Sequence, residues 1–102
     1  MAKPPDMIAA MHARHQLDRS SFDAARAYQS APASALRQIE TRLTQRVGGE
    51  GRQLVRDILG RGATIETVAR ERGDGDRPGI AWWGIMFRRC LRHLAEITGQ
   101  PS

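Results

Sequence analysis

Cysteine is all but absent from this chain of 102 residues: Cys90 stands alone. A lone cysteine excludes an internal disulfide and suits a reducing compartment. Aromatic residues are scarce too, five in all, so a core must be built from aliphatic side chains and alanine. No apolar run approaches the roughly 20 residues that a membrane crossing needs. The opening MAKPPDMIAAMHARHQ lacks the long apolar centre of a secretory signal. These absences predict a soluble, cytoplasmic protein with no membrane partner. No strand-like alternation of useful length occurs, and no internal repeat.

Lysine is the other scarcity. Of sixteen basic residues only Lys3 is a lysine. Arginine offers a rigid five-donor fork that suits phosphate and guanine edges, although an Arg-favouring codon usage produces the same bias. The net charge is +5 and the pI about 10.9, which points to a polyanion or an acidic protein surface as partner. Forty per cent hydrophobic residues suffice for one modest core, and the length is too short for two domains.

The pattern along the chain predicts an all-α bundle of about five helices. Residues 1–17 form a leader with a short helix from Asp6 to about Gln16, and a domain occupies 18–99. Asp18 or Ser20 can cap a helix carrying Phe22, Ala25 and Tyr28 or Gln29. Ser30 or Ala31 is the expected cap of the next, with Pro32 near its first position. That helix places Leu36, Ile39, Leu43 and Val47 on one side and ends at Gly48-Gly49. Another runs from about Glu50 to Leu59, with Leu54, Val55, Ile58 and Leu59 inward and Arg52, Arg56 and Asp57 outward. Thr64 caps a short helix to Arg72, and Gly73 stops it. Asp76 then caps a long last helix over about 79–98.

The segment over about 64–98 thus has the layout of a helix–turn–helix: a helper helix, a Gly/Asp/Pro turn, and a basic helix able to enter a groove. At about 100° per residue, Ile80, Trp83, Phe87, Cys90 or Leu91, Leu94 and Thr98 face inward. Ala81, Ile85, Arg88 and Arg92 then share an outer face, with Trp82, Met86, Arg89 and His93 on its other side. Small and apolar residues permit close approach and contact with thymine methyls, and arginines reach guanine edges or phosphates. Arg77 in the turn, and Arg70 and Arg72 at the end of the helper helix, are further phosphate contacts. Basic residues near a helix C-terminus also complement its dipole without any ligand. Trp82 is either covered by the N-terminal helices or an exposed anchor for a protein partner, together with Met86.

Other constellations are poorer. His12-x-x-His15 and Cys90-x-x-His93 have the one-turn spacing of metal ligands, but Cys90 reads as core and His93 as surface. Asp74-Gly-Asp76 lacks the Glu of a calcium loop, Ile85 standing at its twelfth position. Gly48-Gly-Glu-Gly-Arg52 lacks the Lys-Ser/Thr of a phosphate loop. No cofactor, metal or catalytic set is predicted.

Three segments carry a family likeness. LVRDILGRGATIETVARERG, the turn DRPG and the ending LRHLAEITG, with Leu91, Leu94, Ala95 and Gly99 in the last, resemble a family of small alphaproteobacterial helix–turn–helix domains long described as of unknown function. Phe22-Asp-Ala-Ala-Arg-Ala-Tyr28 is similar to the family's upstream helix. The likeness spans roughly residues 18–99 and departs at Ala81-Trp82-Trp83-Gly84, where the family is small and basic. The family includes the DNA-binding part of the activator of gene transfer agent production. The resemblance implies a nucleoid-associated activator of phage-like genes that binds double-stranded DNA. The alternatives are a protein-interaction module that docks on RNA polymerase or a polymerase-binding protein, and a phage-type packaging or assembly adaptor. A homodimer is compatible with each.

Overall fold

A computed structural model describes residues 7–14 and 16–99 of the chain. Lys3, Asp6 and His15 of the expectations above lie outside the described residues. The described residues hold five helices and no strand: α1 (Met7–Ala13), α2 (Arg19–Ser30), α3 (Ala33–Val55), α4 (Ile65–Glu71) and α5 (Arg77–Ile97). One core joins them, from Ile8 and Met11 of α1 to Phe87, Cys90, Leu91 and Leu94 of α5. The short N-terminal helix thus contributes Ile8 and Met11 to that core.

Local chemistry explains most of the helix ends. Asp18, not Ser20, caps α2, its carboxylate accepting from the Ser21 backbone N–H at 2.7 Å. That bond holds the Asp18 carboxyl below its ordinary range. Pro32 is itself the N-cap of α3, because Ser30 is still helical and its hydroxyl donates back to the Arg26 carbonyl. The break expected at Gly48-Gly49 is present within α3: Gly48 takes the non-helical φ 78 and ψ 175, a conformation open to glycine, and a second helical stretch follows it. The next stretch closes as a π turn, Arg56–Gly60, with the Arg61 N–H reaching back to the Arg56 carbonyl at 3.0 Å.

α5 is the central helix, packed against α2, α3 and α4. Its apolar stripe is Trp83, Phe87, Cys90, Leu91, Leu94 and Ala95, all buried. Both Cys90 and Leu91 face inward, and burial pushes the Cys90 thiol up to about 11. α2 contributes Ala24, Ala25 and Tyr28. The Tyr28 hydroxyl donates to Glu40 at 3.3 Å and is pushed up to about 12 by burial and by that carboxylate. Two contacts link the outer elements: the His12 ring stacks on Phe22 at 4.3 Å, and Arg46 of α3 pairs with Glu96 of α5.

The junction of α4 and α5 is tightly specified. Thr64 caps α4 by accepting from the Thr67 N–H at 3.1 Å. Gly73 ends it at φ 78, and the Asp74 N–H returns to the Ala69 carbonyl at 2.8 Å, the closing bond of a Schellman turn. Asp76 caps α5 through the Gly79 N–H at 2.9 Å, so α5 begins at Arg77, two residues before the expected start. A side chain on Gly79 would fall on the Asp74 carbonyl and lie 2.6 Å from the Asp76 carboxylate. Gly79→Ala is therefore expected to lower the unfolding free energy by about 1–3 kcal/mol in urea melts, the cost of overpacking a site that cannot yield. Gly49→Ala, whose added methyl meets open space, should be neutral or slightly stabilising.

Candidate nucleic-acid interface

The exposed side of α5 is a single stripe running through Ala81, Trp82, Ile85, Arg89 and Arg92. On a helix these five fall within about 60° of Ile85 to either side. Arg88 borders the stripe and is half-buried, its Nη1 passing 3.6 Å from where a side chain on Gly84 would begin. Among the described residues, Arg77, Arg88, Arg89 and Arg92 have no acidic partner at ion-pair distance. Arg92 lies close enough to the cap of α2 to help lower the Asp18 carboxyl, after its backbone and side-chain hydrogen bonds. Four guanidiniums on or beside one helix are thus left to solvent or to a ligand.

The two arginines of α4 stand apart from that set. Arg70 pairs with Glu66 one turn earlier, at 2.5 Å. Arg72 turns inward: its guanidinium lies over the Trp83 ring at 4.7 Å and 3.6 Å from the Asp57 carboxylate. It is a packing element of the α4–α5 corner and not a free phosphate donor.

Asp57, expected on the outside of its helix, is 7 % exposed. One of its oxygens accepts from Gln53 at 2.9 Å and from Arg61 at 3.2 Å; the other faces Arg72. Trp83 donates its indole N–H to Asp74 at 3.0 Å. A chain of contacts thus runs from the π turn, through Asp57, Arg72 and Trp83, to the turn that starts α5. Only Trp-Trp adjacency and the acid-rich turn hint at this in the sequence. The burial of Asp57 has no local signal.

Trp82 is exposed rather than covered, and stands edge-on to Trp83 with ring centroids 4.8 Å apart. It borders a hollow of about 400 Å³ lined by Asp74, Asp76, Pro78 and Gly79. Met86, expected as an outer anchor beside it, is half-buried and packs on the core. With Val47, Cys90 and His93 it lines a separate hollow of about 210 Å³ between α3 and α5. His93 Nδ1 is buried without a hydrogen-bond partner, and burying such a group costs about 1–3 kcal/mol. Among the described residues no three His, Cys, Asp or Glu side chains gather as a metal site. Nor does any described helix have the length and apolarity to cross a membrane. Compared with family models, curated proteins and solved structures, the chain matches none of them.

Proposed function

We propose that the protein is a sequence-specific double-stranded DNA-binding transcriptional regulator whose last helix enters the major groove. The observation that carries this reading is the α5 stripe, where Arg89 and Arg92, with Arg88 at its edge, have no acidic partner at ion-pair distance among the described residues. Guanidiniums left unpaired beside small and apolar residues are the composition of a groove-reading helix. The α4–turn–α5 geometry supports it: the helper helix is capped, closed and braced against α5 by residues that do not compete for the outer face. Arg77 in the first turn of α5 is a further phosphate contact on this reading.

The finer reading is an activator of phage-like, gene transfer agent genes. It rests on the resemblance of the segments around Leu54–Gly73 and Leu91–Gly99.

Fluorescence anisotropy on a labelled random-sequence duplex, titrated across salt, tests the DNA reading. One phosphate contact each from Arg77, Arg88, Arg89 and Arg92 predicts an affinity that falls about 150-fold between 50 and 200 mM salt. A labelled fragment of a gene transfer agent promoter should bind more tightly than the random duplex if the activator reading holds. Salt-independent affinity, or no binding by the folded protein at low salt, would count against DNA as the partner.

The exposure of Trp82 and Ile85 favours a second reading, a protein-interaction module that docks on RNA polymerase. It expects a complex with purified polymerase that survives high salt.

A further inference from the structure

Trp82 and Ile85 are the large apolar side chains that stand out from the surface of the described residues, 49 % and 57 % exposed. They are three residues apart, neighbours on one helix face, with exposed Ala81 beside them. The indole of Trp82 is backed by a built support. Its neighbour Trp83 is fixed by the hydrogen bond to Asp74 and by the Arg72 guanidinium, and Trp82 leans on it at an interplanar angle of 88°. The patch therefore has a defined shape before any ligand arrives.

Charge is distributed unevenly around it. Toward the start of α5 the exposed carboxylates of Asp74 and Asp76 outnumber the Arg77 guanidinium, so that end attracts a phosphate strand less. Toward the end lie Arg88, Arg89 and Arg92, which attract one, while the exposed Glu96 one turn further on is taken up by Arg46 of α3. A duplex on this face is therefore held from the basic side, and its base edges meet the apolar pair. In the major groove the prominent apolar group on a base edge is the thymine methyl.

Resting on the DNA reading above, we infer that α5 reads thymine methyl groups through Trp82 and Ile85 together. This makes Trp82 a specificity residue of the DNA face. Arg88, Arg89 and Arg92 take the backbone on one side of the apolar pair, and Arg77 takes a single phosphate at the start of the helix. The site read is then polar along the duplex, thymine-bearing at the end that meets the start of α5.

Alternating poly(dA-dT) and poly(dA-dU) differ by that methyl alone and serve as probes at low salt. Each methyl buried against an apolar side chain is worth about a fourfold change in affinity. Two such contacts predict roughly fifteenfold weaker binding to the uracil polymer. Trp82→Ala with Ile85→Ala should erase the difference between the polymers, whereas Arg89→Gln should weaken binding to both in equal proportion. Both apolar positions are exposed, so the double variant keeps its fold, checked by circular dichroism. Equal affinity of the wild-type protein for the two polymers would overturn the inference and leave the DNA reading standing. So would a difference that persists in the double variant. Failure to bind either polymer removes the DNA reading, and the inference with it.

Discussion

Replacing Asp57 by alanine should cost the fold about 3 kcal/mol, measured by urea unfolding followed by far-ultraviolet circular dichroism. The carboxylate is buried, and three groups from three parts of the chain converge on it: Gln53 from α3, Arg61 after the π turn, and Arg72 at the end of α4. Truncation leaves the Arg72 guanidinium, only 23 % exposed, against Trp83 without a counter-charge. Breaking a buried pair from one side costs about 3–5 kcal/mol; the lower end applies because Arg72 keeps some contact with water. Asp57→Asn keeps one acceptor oxygen for Gln53 but loses the charge and turns an amide donor toward Arg72, so it should fall between wild type and alanine. Arg61→Ala should cost far less than Asp57→Ala, since that side chain is 55 % exposed and solvent already screens its pairing. A loss of less than 1 kcal/mol for Asp57→Ala would mean that the corner is held by apolar packing alone.

Exchanging Arg88, Arg89 and Arg92 together for glutamine should weaken duplex binding by about a hundredfold to a thousandfold while leaving the melting temperature nearly unchanged. Each is exposed or half-exposed and unpaired within the described fold, so its removal breaks no ion pair. A charge-assisted hydrogen bond to phosphate or guanine contributes about 1.5 kcal/mol or a little less when partly screened. Three of them compound to the range given. The salt slope is the sharper readout, since each lost phosphate contact reduces it by about one unit. Arg70→Gln is the control: its guanidinium already has Glu66 as partner, so affinity should change little. A triple variant that binds as tightly as wild type would remove α5 from the interface.

What could be read in advance was what depends on near neighbours in the chain. Thr64 and Asp76 cap their helices by reaching three residues forward, and Gly73 closes α4 because its left-handed φ costs it no Cβ clash. The inward stripe of α5, from Trp83 to Leu94, follows from helical period alone. Helical period misplaced Asp57. It sits where the helix widens into a π turn, so the ordinary period no longer says which way a side chain points. Arg72 was read as an outward basic residue for want of knowledge that Trp83 and Asp57 would meet it from other elements. Met86 departs from its expected outer place, and Trp82 takes the exposed one of its two expected places, for the same kind of reason. The later part of α3, around Val47, covers the Met86 side of α5, while no element covers Trp82. Of the expected outer face, Ala81, Ile85 and Arg92 are exposed and Arg88 is half-buried at its edge, while the brace behind it was not legible in the sequence.

The two tryptophans sit one residue apart in the chain but in opposite surroundings. Trp83 is sealed in the core with its N–H taken up by a carboxylate, and Trp82 stands half in water with a cationic stripe beside it. Their emission therefore divides the molecule's optical signal by depth. The buried indole follows the integrity of the α4–α5 corner, and the outer one is open to whatever quencher or base approaches α5. Occupancy of the face and loss of the fold are thus written in different indoles of the same unlabelled chain.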